Sequence, residues 1–256
     1  MYALGILGLM IVFFLTAVIS VVTGGTSLIT VPVMMQCGIE PHVAVATNML
    51  ALVFLSVGGT VPFVKSRALR DRRLPWFVAL TLIGSAFGAL LLVKVPSRAM
   101  PLVVSVAMIV VAVFSLANRN AGLSGDAAGD SRTMVVLGYA STFVLGIYGG
   151  FFSGGYVALL TAAYVAFLRM TFIEAVAVTK PLNDASSLVA TAIFAWEGLI
   201  DWKLGIALGV VSFSGAILGA VLARRMGNVW LRRLYLAAVI ILALKTLLYD
   251  VAWPTS

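Results

Sequence analysis

The chain has 256 residues, of which 62% are hydrophobic and only 10% charged, against about 45–50% apolar and 25% charged in a soluble domain. That excludes a soluble enzyme and points to an integral membrane protein, with room for roughly eight or nine crossings of about 20 residues each. The single cysteine, Cys37, excludes a disulfide framework and a multi-cysteine metal centre. The net charge of +8 comes from basic residues clustered between apolar runs, which is an orientation signal rather than a nucleic-acid footprint.

Apolar runs bounded by charges, Gly or Pro predict an all-α fold. Its eight main segments lie near residues 3–22, 42–64, 74–93, 99–117, 133–149, 174–194, 204–223 and 231–249. The first belongs to the mature fold and is not a signal peptide, since Met1 to Met10 carries no Lys or Arg. Two further apolar pieces, 27–36 and 156–168, are too short to span. Each follows a glycine cluster, Thr23-Gly24-Gly25-Thr26-Ser27 and Gly149-Gly150-Phe151-Phe152-Ser153-Gly154-Gly155, and each therefore reads as a broken or re-entrant helix. The polar stretch 118–132 contains Gly122, Gly125 and Gly129 and reads as a linker between two transmembrane repeats, 1–117 and 133–256.

The halves overlay. Gly24-Gly25 matches Gly154-Gly155, Val45-Ala46-Thr47 matches Ala177-Val178-Thr179, and Gly84-x-x-x-Gly88 matches Gly215-x-x-x-Gly219, in one order and at a nearly constant offset. Lys65, Arg67, Arg70, Arg72 and Arg73 crowd one loop, and Arg224, Arg225, Arg232 and Arg233 another, so both loops are expected in the cytoplasm. In the overlay the first loop matches Glu197 to Lys203 and the second matches Lys94 to Arg98. Equivalent loops then face opposite sides, as in inverted repeats with a re-entrant hairpin plus three spans per half. A parallel four-plus-four repeat is the alternative, and it would place one basic loop outside.

A glycine break at membrane depth must be buried in protein or line a polar cavity. Helices starting after Gly25 and Gly155 would point free amides and positive dipole ends inward, where an anion can accept from them. Thr26, Ser27, Ser153 and Tyr156 add hydroxyls beside those amides. The most informative polar set is Thr179-Lys180-Pro181-Leu182-Asn183-Asp184, inside the sixth main segment. Lys180 is expected to supply positive charge for an anion and Asp184 is the candidate for proton coupling, the alternative being that Lys180 snorkels to the nearby interface and Asp184 neutralises it. Pro181 is expected to bend or unwind the helix. Asn48, after Thr47, occupies the position equivalent to Lys180. His42, Glu197 and Lys245 fall at segment ends, where interfacial or solvated roles suffice, and the Gly-x-x-x-Gly faces permit a homodimer. Metal-helix, nucleotide-loop and nucleophile-turn motifs are missing, so no enzyme activity, metal or cofactor is expected.

The run Thr23-Gly-Gly-Thr-Ser-Leu-Ile-Thr-Val-Pro32, followed by Gly38-Ile-Glu-Pro-His-Val-Ala-Val-Ala-Thr47-Asn48, resembles the sulfite exporter TauE/SafE family, also described as toluene-sulfonate uptake permeases. The pattern returns as Gly149-Gly-Phe-Phe-Ser-Gly-Gly155 and Ala175-Val-Ala-Val-Thr179-Lys180, so the resemblance covers nearly the whole chain. It implies a multi-pass transporter of the bacterial inner membrane for small anions such as sulfite, sulfonates or sulfoacetate-like compounds. The substrate site is expected at Gly24, Gly25, Thr26, Ser27, Thr47, Asn48, Ser153, Gly154, Gly155, Tyr156, Thr179, Lys180 and Asn183, with alternating access around it. An anion channel lined by the same glycine tips is the alternative.

Overall fold

The computed structural model describes residues 2–61, 67–100, 102–104, 106 and 132–225. Among them all regular structure is helical: α1 (Tyr2–Thr23), α2 (Thr26–Gln36), α3 (Pro41–Thr60), α4 (Leu74–Lys94), α5 (Arg132–Phe151), α6 (Tyr156–Leu168), α7 (Phe172–Trp196) and α8 (Trp202–Arg225), with short 3-10 turns at Arg67–Arg70 and Ser97–Ala99. The expected segment at 231–249, Lys245, Arg232, Arg233, Lys65, most of 99–117 and nearly all of the linker lie outside the described residues. Both short helices fall where the glycine clusters put them, at 26–36 and 156–168.

Among the described residues four helices are long and apolar enough to cross a membrane: Pro41–Thr60, Leu74–Lys94, Arg132–Phe151 and α8 over Trp202–Leu222. α7 has the length, at 25 residues, but carries Glu174, Lys180 and Asp184. The outer faces present Ile11, Leu15, Ile83, Phe87, Leu91, Val144 and Val210, while Thr30, Asn48, Ser56, Ser85, Thr142 and Ser186 are fully buried. Apolar outside and polar inside is the arrangement a hydrocarbon surround favours, because buried polar groups then find partners among neighbouring helices.

Local chemistry sets the helix starts. Glu40 caps α3 by accepting from the Val43 amide at 3.0 Å, with Pro41 at the first helical position. Burial opposes ionisation of Glu40, but bonds from the Val43 amide, His42 and Ser97 outweigh it and hold the carboxyl below its ordinary range. α7 opens on a capping box: the Thr171 hydroxyl accepts from the Glu174 amide, and the Glu174 carboxylate accepts from the Thr171 amide at 2.9 Å. Pro181 was expected to bend or unwind this helix. Instead α7 runs without a break from Phe172 to Trp196, so the cost is confined to the single amide that proline lacks.

Small residues set which helices touch. A Cβ on Gly84 would lie 2.6 Å from the Phe143 carbonyl oxygen and 3.0 Å from the Ile147 nitrogen, and Gly88 faces the Ile147 and Phe151 backbone. One on Gly215 would lie 2.7 Å from the Phe14 carbonyl oxygen, and Gly219 faces the Val18 backbone. The two Gly-x-x-x-Gly faces thus seat α5 and α1 of the same chain, where the missing side chains let the backbones pack closely.

Residue numbers rise together in both contacts, so α4 runs parallel to α5 and α1 to α8. Gly209 against Phe54 and Gly58 against Phe213 make α3 parallel to α8 as well. Ser56 meets Asn183, whereas Thr47, earlier on α3, accepts from the Asp201 amide beyond the end of α7. α3 and α7 are therefore antiparallel. Because α3 and α8 end together, the segment containing Arg67, Arg70, Arg72 and Arg73 and the pair Arg224-Arg225 lie at one end of the bundle.

Candidate functional site

The chain leaves α1 at Gly24 with φ +65 and leaves α5 through Ser153 (φ 62) and Gly155 (φ 77). This left-handed region costs glycine little, and serine more. The two breaks meet: the Gly155 amide donates to the Gly24 carbonyl oxygen at 3.1 Å. Each also rests on the first turn of the other's short helix. A Cβ on Gly24 would lie 2.5 Å from Val157 Cβ and 2.8 Å from the Ala158 nitrogen, and one on Gly154 would lie 2.7 Å from Leu28 Cδ2. Tyr148 secures the second break by donating its hydroxyl to the Gly154 carbonyl oxygen.

Beside this junction is a small cavity of about 10 Å³, room for roughly one water. Gly24, Thr26, Ser27, Ser153, Lys180 and Asn183 line it, together with Ser20, Leu52, Leu55 and Val157. The Lys180 side chain is only 2% exposed. The N-termini of α2 and α6 start at the same junction and add partial positive charge. Ammonium, hydroxyls and helix starts together form a donor-rich pocket suited to an oxyanion.

The other expected residues stand behind or beside this lining. Gly25 caps α2 and accepts from the Leu28 amide at 3.1 Å. Asn48 ties α2 to α3: its Oδ1 accepts from Thr30 at 2.7 Å and its Nδ2 donates to Ser27 Oγ at 2.9 Å, which orients a lining hydroxyl. Thr179 bonds the Val176 carbonyl oxygen at 3.0 Å and touches Thr161 at 3.5 Å, linking α6 to α7. Asn183 donates to Ser56. Gly154 is filled by Phe152 and Leu28, Tyr156 reaches Thr81 at 3.4 Å, and Thr47 serves the Asp201 amide, so these three brace the surrounding helices. Asp184 is half-buried, one turn past Lys180, and its Oδ1 is buried without a hydrogen-bond partner.

Ser20, Leu52, Leu55 and Val157 were not anticipated. Ser20 stands one helical turn before Gly24, and Leu52 one turn after Asn48, so helical spacing from residues already singled out was the available signal. Val157 becomes a wall only because the two breaks meet.

A family model described as sulfite exporter TauE/SafE matches residues 9–246. The chain belongs to this family. It is 27% identical over 241 residues to a protein named probable membrane transporter protein from Haemophilus influenzae, covering 94% of this chain and 93% of that one. It is 28% identical over 246 residues to the probable membrane transporter protein YfcA of Escherichia coli K12, covering 94% and 89%. A probable membrane transporter protein, ORF9, from a Sinorhizobium species is 27% identical over 240 residues, covering 93% and 91%. No solved structure matches the chain at a significant level. Sulfite exporter family membership makes the protein a membrane transporter.

Proposed function

We propose that this family member is a secondary carrier for a small anion, sulfur-containing as the family name suggests, held between the two glycine breaks and Lys180. The observation that carries this reading is a lysine, 2% exposed, lining the cavity at which the two breaks meet. A lysine so enclosed in a membrane protein marks a functional position, because ionisable side chains within the bilayer are costly and line substrate or ion paths. Lys180 neutralises the anion, the Ser27, Ser153 and Thr26 hydroxyls orient it, and the positive ends of α2 and α6 add to the attraction.

The two halves act as inverted repeats. Helices equivalent in the sequence overlay, α3 and α7, run antiparallel, and the exchanged pairs α4 with α5 and α1 with α8 use the same glycine faces. On this reading the α1–α2 and α5–α6 hairpins enter from opposite faces of the bacterial inner membrane, and the basic ends lie in the cytoplasm. A cavity with room for about one water is too small for sulfite, so the anion enters when one repeat rocks against the other. Asp184, one turn beyond Lys180, is the carboxylate placed to couple transport to a proton or another small cation.

Uptake of radiolabelled sulfite, sulfoacetate and taurine into proteoliposomes tests the proposal. Lys180→Ala should lower transport of the accepted anion at least about tenfold, as removal of a buried charge partner does. Unchanged transport in that variant would sink the central-lysine site, and unitary currents in place of saturable counterflow would replace the carrier with a channel.

A further inference from the structure

From Lys180 onward, one face of α7 stays polar. Lys180, Asp184, Ser187 and Thr191 recur at steps of four, three and four, so they form a single stripe over roughly 16 Å of helix, from the cavity toward Trp196. Three oxygens on this stripe are buried without a hydrogen-bond partner: Asp184 Oδ1, Ser187 Oγ and Thr191 Oγ1. Ser187 is 0% exposed and Thr191 8%.

Among the described residues two hydroxyls off this stripe, Thr60 Oγ1 and Ser212 Oγ, are also buried without a partner, but they stand singly on other helices, whereas several buried threonines satisfy themselves on their own helix. Thr16 bonds the Val12 carbonyl oxygen, Thr30 that of Thr26 and Thr142 that of Gly138. Ser187 and Thr191 forgo that ready bond. Buried polar groups in membrane helices find partners, so three unpartnered oxygens in one row call for a partner that the neighbouring side chains do not supply.

The composition of the row decides what that is. A carboxylate and two hydroxyls offer only oxygen ligands, which suit a small hard cation and repel an anion. Among the described residues, the elements packed against α7 supply no rival acid or ammonium inside the bundle. α3 and α4 carry no Asp, Glu, Lys or Arg between 42 and 60 or between 75 and 93, and α5 and α6 bring the tyrosines Tyr139, Tyr148, Tyr156 and Tyr164. Arg67 and Arg70 belong to the turn at the opposite end, where α7 starts, and His42 sits at the start of α3, bonded to Glu40 and Ser97. Lys180 terminates the row at the cavity.

We infer that the Asp184–Ser187–Thr191 stripe is a hydrated route for a small monovalent cation, sodium or a proton carried on water, running from the Trp196 end of α7 to the carboxylate beside the anion site. The inference deepens the carrier reading and rests on it for the coupling role. A cation at Asp184 stands one turn from an anion at Lys180, so each favours binding of the other.

The test uses the full chain with Cys37→Ala in proteoliposomes, carrying Ser187→Cys, Thr191→Cys or, as a buried apolar control, Ala190→Cys. Labelling is followed with aminoethyl methanethiosulfonate, which is cationic, and its anionic sulfonatoethyl counterpart. At positions 187 and 191 the cationic reagent should react about tenfold faster than at 190, and faster than the anionic reagent. Reaction no faster than at 190, or no preference for the cation, overturns the route. Sodium in place of N-methylglucamine should slow labelling at 191 by roughly threefold if sodium is the occupant, and Asp184→Asn should abolish that protection. Cation preference without sodium protection assigns the route to protons. Labelling needs no transported substrate, so it fails or succeeds separately from the Lys180→Ala measurement.

Discussion

Gly24 and Asn48 show how differently single residues carry this structure. Gly24 combines a left-handed φ of +65 with a Cβ position 2.8 Å from the Ala158 backbone nitrogen, so neither the backbone nor its neighbour can yield cheaply. Gly24→Ala is expected to lower stability by about 1–3 kcal/mol, read as an earlier thermal midpoint in detergent, because strain and overpacking add. Asn48→Leu takes the Nδ2 donor from fully buried Ser27 and one of two acceptors from Thr30, which keeps the Thr26 carbonyl oxygen, at a cost of about 1–3 kcal/mol. Thr179→Val should cost less, since its bridge to Thr161 is already at the 3.5 Å limit of a hydrogen bond. Equal midpoints for the Asn48 and Thr179 variants would contradict this ranking.

Among the elements, the α2–α3 turn reports both capping and orientation. The Glu40 carboxyl is held below the ordinary glutamate range. A depressed acid contributes stability that is present above its unfolded value and lost as pH falls through the folded one. Glu40→Gln should therefore flatten the decline of the thermal midpoint between about pH 5 and pH 3, and a decline unchanged in that variant would assign it to other carboxyls. Cys37 lies in the same turn, exposed, at the end of the bundle opposite the basic segments. With those segments in the cytoplasm, an impermeant maleimide should label Cys37 in intact cells; labelling only after permeabilisation would reverse the orientation.

For the whole molecule, the exchanged helix pairs matter most. Gly88 and Gly219 each press against a backbone from the other half, Ile147 and Val18 respectively, whereas Gly5 and Gly8 have open space beside them. Gly88→Leu and Gly219→Leu should both abolish a monodisperse folded peak in detergent gel filtration, and Gly8→Leu should leave it intact. A folded Gly219→Leu protein would show that the α1–α8 contact is dispensable. These contacts join the halves into one unit, so in the proposed carrier cycle one repeat would pivot on them rather than separate from the other.

The sequence alone determined the membrane class, the family resemblance, the two half-length helices and their starts after Gly25 and Gly155. Each of these is a local property, of hydropathy run length, glycine placement and motif order. It also singled out Lys180, because a charge inside an apolar run is anomalous whatever surrounds it. Only the tertiary structure decided that the two breaks touch, that Asn48 braces Ser27 rather than lining the cavity, that Thr47 caps Asp201, and that Pro181 leaves α7 unbroken. Those outcomes depend on partners from 21 to 154 residues away along the chain or on neighbours that hold a helix straight. Hydropathy patterns contain no such information, since in hydrocarbon every apolar face looks alike until small residues let two backbones meet.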